Sequence, residues 1–307
     1  MTLSVASWNV NSIKARLPNV LDWLKEASPD VACLQEIKTV DEGFPRLEIE
    51  ELGYNVETVG QKTYNGVALL SKRPIEEISQ RALPGDDEDD QARYIEAVIS
   101  ADSGPVRVAS IYLPNGNPAP GPKYDYKLAW MKRLKAHARS LLAFEEPVIL
   151  AGDYNLIPRD SDVHDAAAWE GDALIRPESR DAFAEILWLG YSEAFMQADG
   201  RAHQYTFWDY QAGAWQKNNG IRIDHLLLSP QAADRLKAVE IAKDVRGKRD
   251  DKVRVCIRYD DRQSPTYIRN RTVDCPSRLA GSPGHRRVRL SAVAIWDGVP
   301  GVHGAGV

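Results

Sequence analysis

The run Val148-Ile149-Leu150-Ala151-Gly152-Asp153-Tyr154-Asn155 constrains the chain more than any other segment. Its unbroken apolar half makes a strand buried on both faces, the kind found inside layered α/β proteins. The strand then drives into a carboxylate and a carboxamide two residues apart. Side chains alternate along extended backbone, so Asp153 and Asn155 point the same way off the end of a sheet. Ligand and catalytic groups collect at such strand ends. A lone Gly-Asp-x-Asn is ordinarily a turn; here four other segments repeat the arrangement.

Residues 4–8 run into Asn9-Val10-Asn11, and residues 31–34 run into Gln35-Glu36. Ile221-Arg222-Ile223 meets Asp224-His225, and the β-branched alternation of residues 106–113 delivers Tyr112, then Pro114-Asn115. One acid at a strand end is usually a cap or a solvated turn. Five polar strand ends in one chain point to a shared site. Hard oxygen donors such as Glu36 and Asp153 beside amides suit Mg²⁺, or Mn²⁺, which take few carboxylates and keep waters.

Composition narrows the class. Hydrophobic content of 43% and charged content of 27% over 307 residues are those of an ordinary globular protein. There is no apolar run of membrane-spanning length and no basic leader, so a cytoplasmic protein without a membrane partner is expected. Three cysteines without CxxC spacing suggest reduced thiols, not a zinc site. A net charge of −5 argues against a uniformly basic nucleic-acid binder but allows a local groove where a metal supplies positive charge. The balance changes after Lys248: residues 249–307 hold 11 Lys+Arg against 6 Asp and no Glu. Two domains are therefore expected, 1–248 and an atypical, poorly ordered Arg-rich tail over 249–307.

Strands alternate with helices along the body. Leu17, Val20, Leu21 and Leu24 fall at helical spacing, and strands are expected over 54–57, 66–70 and 92–99. A long helix is expected over 123–144, with Leu128, Met131, Leu134 and Ala138 on one face. Another is expected over 179–189, with Ser179 as N-cap and Gly190 just past its end. The acidic residues 86–90 read as an exposed loop. Tyr205-Thr206-Phe207-Trp208-Asp209-Tyr210 and Trp215 are interleaved with amides, and this pattern suggests an exposed surface able to stack or wedge bases rather than a core strand.

Several motifs then fall together: Ser7-Trp8-Asn9-Val10-Asn11-Ser12, Leu34-Gln35-Glu36-Ile37-Lys38, Tyr112-Leu113-Pro114-Asn115-Gly116, Gly152-Asp153-Tyr154-Asn155, residues 205–210, and Arg222-Ile223-Asp224-His225. From about residue 3 to 248 the sequence resembles the exonuclease III and abasic-site endonuclease family. The resemblance implies a four-layer α/β sandwich of two packed β-sheets flanked by helices, DNase I-like. It implies a metal-dependent nuclease that trims 3′ ends and incises abasic sites in double-stranded DNA, a monomer using Mg²⁺. Glu36 would hold the metal, with Asn9, Asp153 and Asn155 beside it. Asp153 would orient or deprotonate the attacking water, and Tyr112 would lie against the scissile phosphate. Asn155 and Asn115 would stabilise the transition state, with Asn11 on the DNA side. Asp224 matches the carboxylate that orients the family's histidine. Phe207, Ile221 and Ile223 would line the pocket for an abasic sugar, and Trp208 would face DNA.

The resemblance breaks after Lys248. The family's Ser-Asp-His and final apolar strand do not follow; a divergent or frame-altered stretch does. Pro283-Gly284-His285 precedes an apolar segment, but Gly284 stands where the carboxylate belongs, so His285 is only a weak substitute base. His225 points away from Asp224 on an extended segment and is expected to be packed or at the surface rather than catalytic. Two alternatives stay open: a catalytically inactive DNA-binding relative, and an enzyme of phospholipid or inositol phosphates. The aromatic loop disfavours the second.

Overall fold

The computed structural model describes residues 2–209, 212–242 and 254–260. Along the chain run β1 (Thr2–Asn9), α1 (Ile13–Glu26), β2 (Val31–Gln35), α2 (Arg46–Glu50), β3 (Asn55–Val59), β4 (Val67–Ser71), β5 (Ile75–Gln80) and β6 (Tyr94–Ala101). Then come β7 (Gly104–Tyr112), α3 (Pro122–Leu142), β8 (Val148–Asp153), α4 (Pro177–Leu187), β9 (Ser192–Glu193) and α5 (Ala194–Ala198). The last are β10 (Phe207–Trp208), β11 (Gly220–Ile221), β12 (Asp224–Leu228), α6 (Pro230–Ala233), β13 (Leu236–Ala242) and β14 (Arg254–Asp260).

Two six-stranded sheets result, ordered β13-β14-β1-β2-β4-β3 and β5-β6-β7-β8-β12-β9, with β10-β11 as a short ribbon. The parallel pairs β1/β2 and β7/β8 are joined through α1 and α3, the crossovers that parallel strands require. Strand alternation sorts the core into layers. Val5, Val108, Ile149, Ala151, Leu226 and Leu228 pack between the sheets. Ile111, Val148, Leu150 and Leu227 face the other way, onto Trp130, Met131 and Leu134 of α3 and Phe183 of α4. Ala6, Trp8, Ala32 and Leu34 turn to Val20 and Leu24 of α1. Helices, sheet, sheet and helices make the expected four-layer sandwich.

Three local expectations change. Pro177 opens α4, a place where proline needs no N–H partner. Ser179 is therefore buried inside the first turn, where its Oγ donates to the Ala173 carbonyl at 2.8 Å instead of capping. In the acidic loop, Asp89 is tucked against α3, accepting from Tyr126 Oη at 2.9 Å and pairing with Arg133.

The third change is the tail. β14 lies between β13 and β1, with Val5 opposite Ile257 and Ser7 opposite Val255. Val255, Ile257 and Tyr259 are buried against the inter-sheet core. The period-two pattern of these three residues was masked by the arginines around it, so the boundary expected at 248 is misplaced. A compact unit spans Met1–Gln263. His285 lies outside the described residues. No helix among the described residues is long and apolar enough to cross a membrane.

Candidate active site

Register places three predicted residues in one row. Tyr112 at the end of β7 is opposite Asp153 at the end of β8, and Asp153 is opposite Asp224 at the start of β12. Gly152 permits this close pairing, because a Cβ there would meet the Ile111 carbonyl oxygen at 1.9 Å. From the facing sheet, Asn9 ends β1 beside Gln35, and Glu36 follows directly.

Asn9 stitches the sheets together. Its Nδ2 donates to Glu36 Oε1 at 2.6 Å and to Asp153 Oδ2 at 2.8 Å, so both carboxylates turn toward one point. The other Glu36 oxygen pairs with Lys38 Nζ at 2.8 Å, and that ammonium also donates to Asn11 Oδ1 at 2.6 Å. Asn11 in turn donates its N–H to Asn9 Oδ1 at 3.1 Å. Asn11, Glu36, Lys38 and Asn155 all hold left-handed backbone, at φ 45, 52, 52 and 45. Such conformations persist only where surrounding contacts enforce them, and they cluster at functional sites.

Asn155 is fixed on every side. Its N–H donates to Asp153 Oδ1 at 2.9 Å and its Nδ2 to the Leu113 carbonyl at 2.9 Å. Its Oδ1 accepts from Asn115 Nδ2 at 3.1 Å. The structure thus ties Asn155 to Asn115 rather than to the Glu36 carboxylate. Tyr112 is half-buried with the Arg93 guanidinium 4.9 Å over its ring. Beneath the amides, Lys127 is fully buried and donates to the carbonyls of Asn155 and Asn115. Burial pushes its ammonium down to about 7, although Asp172 and Asp153 pull the other way.

The donor set selects the metal type. Among the described residues no three His, Cys, Asp or Glu side chains converge as a cage. Two carboxylates flanked by amides do converge, and they fit a hard cation that keeps several waters.

The pocket side is built differently. A cavity of about 290 Å³ is lined by His164, Trp169, Phe207, Asp209, Asn219 and Ile221, among others. Ile223 belongs to the same apolar cluster as Ile221 and Phe207. Trp208, expected on the DNA side, is buried. β10 pairs with β11, so its two residues point to opposite sides; Phe207 reaches the cavity, and Trp208 is buried against Tyr205 and Trp215. The fully exposed aromatic surface is corrected with it, since Tyr205 and Thr206 are buried too.

Behind the wall lies a charged network with no local sequence signature. Arg222, 1% exposed, makes two bonds of 3.1 Å to Asp162 and one ion pair of 3.1 Å to Glu193. It also meets His225 Nδ1 at 3.0 Å, and His225 Nε2 reaches the Leu156 carbonyl at 3.0 Å. His225 is packed as expected, facing away from the row that holds Asp153. Burial alone would raise the Glu193 carboxyl; the Arg222 charge and the His225 contacts outweigh it and hold it at about 2.

Sequence reasoning missed Lys127, Lys38, His164, Trp169 and the Arg222 network. A lysine on the buried face of α3, between Tyr124 and Trp130, was the available signal for Lys127.

Two sheets with an acid–amide cluster at their shared edge define a layered α/β enzyme of the nuclease–phosphatase class. The model of the Endonuclease/Exonuclease/phosphatase family matches residues 6–273, and the chain belongs to that family. The match takes in β14. Exodeoxyribonuclease III of Haemophilus influenzae is 33% identical over 248 residues, covering 78% of this chain and 92% of that one. An AP endonuclease from Archaeoglobus fulgidus superposes with TM-score 0.79 at 31% identity, over 84% of this chain and 99% of that one. A 3′ phosphatase from Neisseria bound to a product DNA hairpin gives TM-score 0.80 at 33% identity, over 84% of this chain and 99% of that one.

Proposed function

We propose that the chain is a DNA-repair phosphodiesterase of exonuclease III type, working with Mg²⁺ on double-stranded DNA at 3′ ends and abasic sites. The observation that carries this is the Asn9 bridge, which turns Glu36 and Asp153 to one point beside Asn155, Asn115 and Tyr112. Glu36 and Asp153 would hold the cation, with Asn9 fixing their orientation. When bound, the cation supplies charge neutralisation at the phosphate and a more acidic water.

The remaining chemistry belongs to the chain. Asp153, aligned by Asn9 through one oxygen and by the Asn155 N–H through the other, accepts the proton of the attacking water. Asn155 and Asn115 each keep a side-chain N–H for the non-bridging oxygens, where charge grows in the transition state. The Tyr112 hydroxyl lies against the same phosphate, its ring held under Arg93. Phe207, Ile221 and Ile223 give an abasic sugar an apolar seat. Since Ser-Asp-His does not follow Lys248, turnover is expected to be lower than with a complete motif, on the order of 10²–10⁴-fold. We place the activity in the cytoplasm, as a monomer, in keeping with free Cys33 and Cys256.

The test is a duplex with one abasic site and Mg²⁺, with and without EDTA. Nicking that needs metal and disappears in Asp153→Ala supports the enzyme. Binding without nicking supports the second reading, a DNA-binding relative without turnover, which the missing Ser-Asp-His favours.

A further inference from the structure

We propose that Lys127 is a positioning residue that sets the geometry of the two amides facing the phosphate. The inference rests on the reading of Asn115 and Asn155 as phosphate donors. Lys127 occupies the inward face of α3, where its helical neighbours in the core are Tyr124, Trp130, Met131 and Leu134. An apolar side chain is the default at such a position, because burying an ammonium is costly unless its donors are used. They are used on backbone. Nζ donates to the Asn155 carbonyl at 2.6 Å and to the Asn115 carbonyl at 3.1 Å.

These bonds close a ring. Asn115 Nδ2 donates to Asn155 Oδ1 at 3.1 Å, and the ammonium ties together the backbones of the same two residues. Asn155 carries its left-handed backbone between two anchors: its N–H on Asp153 and its carbonyl on Lys127. The aliphatic stem contributes as well. Gly116, at φ 89, lies so close that a Cβ would meet Lys127 Cδ at 2.7 Å. The Asn115-Gly116 turn is thus moulded onto the lysine. Asp172 and Asp153 favour the charge electrostatically, while the Nζ hydrogen bonds go to the two carbonyls. A methionine would fill the space and leave both carbonyls unheld; an arginine could still reach them.

The test compares Lys127→Met and Lys127→Arg with the unaltered full chain. Side-chain amide NMR signals of Asn115 and Asn155 are recorded without metal, and kcat and KM are measured on a 3′-recessed duplex with Mg²⁺. Melting temperatures verify folding of both variants. In Lys127→Met the two amide signals should shift or broaden, and kcat should fall about 10- to 100-fold, the scale of an ångström-level misplacement. KM should stay within about threefold, and Lys127→Arg should recover most of kcat and the original amide signals. Rates on Rp and Sp phosphorothioate linkages should differ less in Lys127→Met than in the unaltered chain. Undisturbed amide signals in a folded Lys127→Met would overturn the proposal, as would an unchanged kcat in an active parent. If the parent itself cuts no DNA, the functional reading fails, while the amide signals still decide the role of Lys127.

Discussion

The two sides of the site are built by opposite strategies. The phosphate side stands on β1, β2, β7 and β8, long interior strands whose ends are cross-linked by Asn9, Lys38 and Lys127. The pocket side stands on β10 and β11, two residues each, and on the loop carrying His164 and Trp169. It borrows its rigidity from behind, where Arg222 clamps Asp162 and Glu193. The first side is positioned by sheet register, the second by one buried charge network. Under the proposed function, chemistry that tolerates errors of a few tenths of an ångström would sit on the former, and recognition on the latter.

That contrast is broken most severely at Asp153. Asp153→Asn keeps the shape and the row beside Tyr112 and Asp224 but removes the charge that accepts a proton. Metal-dependent nicking should fall on the order of 10²–10⁴-fold, with the melting temperature nearly unchanged. A large drop in melting temperature would show that the carboxylate chiefly supports the fold.

The pocket side should fail in the opposite manner. Arg222→Met leaves Glu193 buried without its guanidinium and Asp162 held by Arg159 alone, which costs about 3–5 kcal/mol in chemical denaturation. The stability loss should come with weakened abasic-site recognition. A stable variant that has lost nicking would contradict the division of labour.

Much of the phosphate side was legible because its signals are local. An apolar strand ending in Asp-Tyr-Asn, or in Gln-Glu, announces itself within eight residues. The pocket side was not, because its determinants are distant: Asp162, Glu193 and Arg222 meet only after the chain has folded across β9 and β12. Trp208 was misread because a two-residue strand sends adjacent aromatics to opposite faces, which composition cannot show. β14 was overlooked because Val255, Ile257 and Tyr259 alternate within an arginine-rich stretch, and charge drew attention from period. Lys127 hid in plain helical spacing, since one of four lysines in a 21-residue helix normally reads as solvated.

The clamp also has a pH signature. Glu193 is held at about 2 against an ordinary value of 4.5, so its contribution is complete above about 4.5 and is lost as pH falls toward 2. That amounts to roughly 3 kcal/mol across the window. Denaturant titrations at pH 7 and pH 3 should differ more for the unaltered chain than for Glu193→Gln. Equal pH sensitivity in both would place the acid-labile carboxylate elsewhere.

The smallest expected effect sharpens the comparison best, because it separates recognition from chemistry. Phe207 is half-buried at the cavity, where its ring adds apolar area that an inserted sugar could cover. Phe207→Ala should cost about 1–2 kcal/mol in binding an abasic duplex, a rise in KM near tenfold. Its kcat should hold, because Asp153, Asn155 and Lys127 are anchored on β8, the turn after it and α3. On a 3′-recessed end without an abasic sugar, both constants should stay close to those of the parent. A fall in kcat on both substrates would instead mean that the pocket wall and the phosphate side move together, and that Arg222 couples them rather than merely bracing one.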